Sequence, residues 1–106
     1  MKFMFNLAAI FIFTAFAGCS TPYQEYTGIF SRGGYVDMRV GEGKYVLYMY
    51  LNSFTTDKTG DEYLTRRVSE ICSREGYVGA KLLSESHATP PDPNFKAKKI
   101  EIQCLK

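Results

Sequence analysis

The chain has 106 residues with 13 Lys and Arg against 11 Asp and Glu, and a leader expected over residues 1–18 would leave 88. That length excludes a large catalytic domain and leaves room for one small core. A near-neutral balance gives no electrostatic reason to expect nucleic acid or a strongly acidic ligand.

Residues 1–18 have the parts of a secretory signal: Lys2 as a positive start, an apolar run from Phe3 to Phe16, then small Ala17 and Gly18. The run is about 14 residues, roughly 21 Å as a helix, which is short for a bilayer span. Phe16-Ala17-Gly18-Cys19 resembles the lipobox of bacterial lipoproteins. By that resemblance Cys19 receives a diacylglyceryl thioether, the leader is cut before it, and the new amine is acylated with a fatty acid such as palmitate. Two or three chains, at roughly 0.8 kcal/mol per buried methylene, anchor firmly where one does so marginally. Ser20 stands where Asp favours inner-membrane retention in well-studied sorting systems, so the resemblance implies the outer membrane, facing the periplasm. The alternative is an ordinary secreted protein whose first cysteine joins a disulfide.

Residues 19–33 read as a lipidated start and a tether, because turn formers mix with isolated aromatics and no period is sustained. Extended, residues 20–33 reach about 45–50 Å. Tyr23, Tyr26, Ile29 and Phe30 imply that part of the segment packs on the domain or lies at the membrane surface.

The folded domain is expected over residues 34–106. Residues 35–40 alternate as a short strand, with Val36, Met38 and Val40 on one face. Gly41-Glu42-Gly43 makes a tight turn into a second strand over 44–52, completing a hairpin. In that second strand Tyr45, Leu47, Met49 and Leu51 share one face, while Val46, Tyr48 and Tyr50 share the other. One apolar face covers the core; Val46, Tyr48 and Tyr50 are therefore a candidate interaction patch, unless neighbouring segments cover them.

Thr55, Thr56 and Asp57 offer N-caps for a helix that begins between Asp57 and Gly60 and ends at Gly76. Leu64, Val68, Ile71 and Cys72 fall on one face, with Arg66, Arg67, Glu70 and Arg74 expected outside. A third strand is expected over 77–83 and a loop over 84–94, where Pro90, Pro91 and Pro93 oppose regular pairing. Lys96 to Leu105 reads as the last strand, with Ile100, Ile102 and Cys104 inward. The expected fold is α+β: an antiparallel sheet of about four strands with one helix packed on it, in the order β-β-α-β-β.

Cys72 on the inner helix face and Cys104 on the inner strand face are brought together by that arrangement. Export to an oxidising compartment makes a structural disulfide the simplest outcome, closing about 33 residues at roughly 3.5–4 kcal/mol. Two buried free thiols and a redox or metal pair are the alternatives; no CxxC spacing supports the latter.

Gly34-Tyr35, Arg39-Val40-Gly41, Tyr45-Val46-Leu47, Asn52-Ser53-Phe54-Thr55, Tyr63-Leu64, Arg67, Glu70 and Gly76-Tyr77 together resemble a family of small bacterial envelope lipoproteins of unknown function. The resemblance covers about half of the mature chain and implies a lipid-anchored α+β domain; it points to no catalytic residues and no ligand, and no cofactor is expected.

Catalytic constellations are not readable. His87 is the single histidine, so a Ser/His/Asp set has one base with no positioned partner, and a metal site lacks ligands once the cysteines pair. Asp57, Asp61 and Glu62 suit caps and a solvated face better than calcium; Arg66, Arg67 and Arg74 suit a solvated face better than phosphates or anionic sugars. Two functions remain: a non-enzymatic envelope lipoprotein that binds or assembles with another envelope protein or glycan, and a small envelope enzyme or thiol-redox factor.

Overall fold

The computed structural model describes residues 20–28 and 31–106. The expected leader, the expected lipidation residue Cys19, and Ile29 and Phe30 lie outside the described residues.

The elements are β1 (Gly33–Gly41), β2 (Lys44–Leu51), α1 (Asp57–Arg74), β3 (Gly79–Ala88) and β4 (Lys96–Leu105). The four strands pair antiparallel in the order β1-β2-β4-β3, so the α+β arrangement has one sheet with one helix on it. The chain crosses from β2 over the sheet as α1, starts β3 at the far edge, and returns with β4 between them. Both central strands are thereby the apolar ones. Tyr45, Leu47, Met49 and Leu51 of β2 join Ile100, Ile102 and Cys104 of β4 under Leu64, Ile71 and Cys72 of α1.

The helix starts at Asp57, with the Thr56 hydroxyl accepting from the Thr59 N–H. Gly60, which weakens a first turn intrinsically, is buried: a Cβ there would stand 2.5 Å from Leu51 Cδ1, so its lack of a side chain lets α1 approach β2. At the other end the Tyr77 N–H donates to the Cys72 carbonyl and the Gly76 N–H to that of Ser73, the pairing expected of a glycine-terminated helix.

Two elements differ from expectation. β3 runs five residues further, through Ser84–Ala88, and pairs with β4 up to Ala88–Ala97. A register shift between Leu82 and Ser84 interrupts its alternation, which is why the strand is unclear from periodicity; the three prolines all follow its end. On α1, Arg67 is not outside. Its side chain is inserted between α1 and β1, where Nε and Nη2 donate to Asp37 at 2.9 and 3.3 Å and the guanidinium lies 4.4 Å from the centre of the Tyr35 ring.

Cys72 and Cys104 stand at disulfide distance, Sγ–Sγ 2.05 Å with Cα atoms 5.5 Å apart. Both are buried, tying the last turn of α1 to the end of β4.

Candidate functional site

Three surfaces are available to a partner, and register decides their character. Because Tyr35 pairs with Met49 and Asp37 with Leu47, the apolar side of β1 (Val36, Met38, Val40) faces away from the helix. It joins Val46, Tyr48 and Tyr50 on the outer sheet face. That patch is uneven. Val46 is only 8 % exposed, whereas Met38 and Val40 are 47 % and 59 % exposed. Tyr50 stacks on Tyr48 and takes Tyr26 edge-on at 4.8 Å, so the segment before β1 covers one end of the patch. Burial of the Tyr50 ring pushes its phenol above the ordinary tyrosine range. The residues of this face most open to a partner are thus Met38 and Val40, which the alternation of β1 placed together but could not orient.

The second surface is that covering segment itself. Residues 20–28 do not hang free as an extended tether. Glu25 bridges Tyr35 in parallel, the Tyr26 N–H donates to the Tyr35 carbonyl, and the Tyr35 N–H donates to the carbonyl of Gln24. Gly34 admits this approach, since a Cβ at its φ of +147° would lie 2.4 Å from the Gln24 carbonyl oxygen. Tyr23 packs against Tyr35 and Tyr63, lies under Arg66, and donates its hydroxyl to Glu70. Burial and the neighbouring carboxylate push the Tyr23 phenol up to about 12. Thr21 is fully buried. Its N–H donates to Thr55 Oγ1 at 2.6 Å, its hydroxyl donates to the Arg32 carbonyl at 2.6 Å and accepts from the Asn52 N–H at 2.9 Å, and its carbonyl accepts from the Tyr63 hydroxyl. The start of the β1 edge is closed by these contacts.

The third surface is the opposite edge. β3 is the far edge strand of the sheet, and eight of its ten residues are exposed, Leu82 and Leu83 included. Between α1 and β3 runs a groove in two parts. The first, about 550 Å³, includes Met49, Leu51, Gly60, Leu64 and His87 in its lining; the second, about 330 Å³, includes Val68, Ala80, Leu82, Ile100 and Ile102. Lys98 stands between them, its Nζ 2.6 Å from Asp61 of α1 and 2.5 Å from Glu85 of β3. Its hydrogen bonds to those carboxylates hold the ammonium above the usual lysine range. Nearby, Lys96 pairs with Asp57 and holds that carboxyl below its ordinary range. The groove therefore has an apolar floor crossed by a charged strap, suited to an extended segment with alternating apolar and polar side chains. His87, expected in a loop, projects from β3 beside this groove.

Arg66 and Arg67 engage Tyr23, Glu70, Asp37 and Tyr35, which accounts for both without phosphate or sugar. Among the described residues no group of three or more His, Cys, Asp or Glu side chains is placed to hold a metal ion, and no helix is long and apolar enough to cross a membrane. No protein-family profile matches this chain, and neither a curated protein nor a solved structure does. The site must be read from its own chemistry.

Proposed function

We propose that the protein is a lipid-anchored bacterial envelope lipoprotein, acylated at Cys19 after removal of residues 1–18, held on the periplasmic face of the outer membrane. In this reading it has no catalytic activity and serves as a binding or assembly module for another envelope protein. Phe16-Ala17-Gly18-Cys19 and the small-lipoprotein resemblance support the anchor. The buried Cys72–Cys104 pair supports residence in an oxidising compartment and a bracing role, since sulfurs shielded from solvent exchange poorly with other thiols.

One observation carries the binding role: the two sheet edges are treated differently. The start of β1 is closed by the segment before it, whereas β3 presents its edge beside an apolar groove. An open edge offers backbone N–H and C=O groups to an added strand, and alternate side chains of that strand reach the groove. The bulge at Leu82/Ser84 and the charges Lys81 and Glu85 blunt pairing with a second identical edge, which favours a distinct partner.

The test is photo-crosslinking in intact cells from single positions, Leu82 on the edge and Met38 on the outer face. A discrete adduct from position 82, suppressed by Leu83→Asp, is the expected result. Adducts from position 38 alone would move the interface to the outer face, and none from either position would end the module reading.

A further inference from the structure

The end of the domain that carries Thr21 is also the end that carries Phe54, and from this we infer that Phe54 inserts into the phospholipid interface beside the anchor. This rests on the proposed acylation of Cys19. Phe54 is 71 % exposed, on the connection between β2 and α1. Its neighbour Thr55 is buried and accepts the Thr21 N–H at 2.6 Å, while the Phe54 N–H donates to the Asn52 side chain. The loop and the start of the mature chain are thus one hydrogen-bonded unit.

Covalent geometry does the rest. Two peptide steps separate Cys19 from Thr21, so their Cα atoms are at most about 7.6 Å apart. The thioether glyceryl lies where headgroups meet acyl chains, and Thr21 cannot leave that boundary by more than this link and the short glyceryl arm. Phe54 is one Cα step, about 3.8 Å, from Thr55, and it is open to solvent at the same end. An exposed aromatic held at that depth gains by entering the interface, where apolar groups bury about 5–10 Å into the boundary.

The opposite end cannot compete. β1 spans nine residues, about 30 Å, from Gly33 beside this base to Gly41 at the far turn. Val78, 88 % exposed, lies at that far end, where its N–H donates to the Leu105 carbonyl. It is an equally open apolar residue with no route to the bilayer.

The chain contains no tryptophan, so one introduced residue reports alone. Full-length Phe54→Trp and Val78→Trp chains would be expressed with their leader in a bacterial host, and the membrane-extracted protein checked for acylation by mass spectrometry. Each would then be reconstituted into phosphatidylethanolamine/phosphatidylglycerol vesicles with brominated acyl chains. With Cys19 acylated, position 54 should lose about half its emission and shift to shorter wavelength, as expected of a ring at interfacial depth, while position 78 stays unquenched. Acylated protein whose position 54 is unquenched, or quenched no more than position 78, overturns the inference and leaves the anchor standing. A Cys19 without acyl chains overturns the anchor itself, and the inference with it.

Discussion

Thr21→Val is the sharpest test of how the segment before β1 is held, because it removes one hydroxyl and nearly nothing else. That hydroxyl is fully buried, accepts from the Asn52 N–H and donates to the Arg32 carbonyl. A hydrogen bond contributes about 1 kcal/mol net, and a buried polar group deprived of its partner costs about 1–3 kcal/mol. Two such bonds put the expected loss at about 2–4 kcal/mol, a large share of the roughly 5–15 kcal/mol that stabilises a small domain. For a chain of this size that corresponds to a fall in Tm of about 10–25 °C. Thr21→Ser keeps the hydroxyl and loses one methyl, so it should cost no more than about 1 kcal/mol. Urea unfolding followed by circular dichroism gives both values at constant slope. A valine variant within about 0.5 kcal/mol of the parent, or equal losses for Val and Ser, would show that residue 21 is not part of the cooperative fold.

Four further outcomes follow from the same contacts. Reducing the Cys72–Cys104 pair should lower the urea midpoint by the equivalent of about 3.5–4 kcal/mol, the loop-closure value for a separation of 32 residues; an unchanged midpoint in reductant, with alkylation proving reduction, would exclude a bracing role. Arg67→Met should cost about 2–3 kcal/mol, somewhat less than the roughly 3–5 of a fully buried pair, and Asp37→Leu in the same chain should recover at least half; additive losses in the double-mutant cycle would refute the coupling. Gly60→Ala should destabilise by about 1 kcal/mol, against the sign of helix propensity, because the added Cβ meets Leu51; a more stable variant would mean that Leu51 yields without cost. Tyr23, Tyr45 and Tyr50 all have phenols raised by burial, the first to about 12. The folded state holds these protons more tightly than the unfolded state, so their contribution is intact below pH about 10 and is lost as pH rises towards 12. Difference absorbance at 295 nm should show late-titrating tyrosines coincident with unfolding, and eight tyrosines titrating together near 10 before unfolding would contradict this.

Hydrophobic alternation was a sufficient guide to β1, β2 and β4, and helical spacing to α1, because these segments bury one side and the periods of burial are written into residue type. The Cys72–Cys104 proximity was legible for the same reason: both residues fall on inward positions of their elements. β3 was legible only as far as Leu83. Beyond the bulge it is Ser, Glu, Ser, His and Ala on an exposed edge, where pairing is held by backbone bonds and side chains carry no period. Arg67 lies three residues after Leu64 and four before Ile71, so its spacing puts it on the buried stripe while its charge points outward; that charge is accommodated by Asp37, whose inward position on β1 depends on a register no local pattern reveals. Thr21 had no signal at all. A threonine in a polar, proline-containing stretch becomes a hub only because Asn52 and Thr55, more than 30 residues away, arrive beside it.

These particulars explain how so narrow a helix face holds its place. The buried stripe of α1 is short: Leu64, Ile71 and Cys72, with Tyr63 and Val68 partly covered. Such a stripe fixes a helix weakly by area alone, and here it is supplemented along its length. At the N-terminal end Thr21 is bonded to both Thr55 and Tyr63; midway Arg67 crosses to Asp37 on β1; at the C-terminal end Cys72 reaches Cys104. The first two of these supports lie on the β1 side, and on the β3 side the helix is met by the Asp61–Lys98–Glu85 strap, whose members are partly solvated and contribute little. The helix is therefore held firmly on its β1 side and at Cys72, and beside the groove it is met by this strap alone. That asymmetry leaves the groove and the edge open without loosening the core, and on the proposed anchoring β3, about 33 Å of edge strand, stands upright from the membrane with its outer edge exposed to a partner.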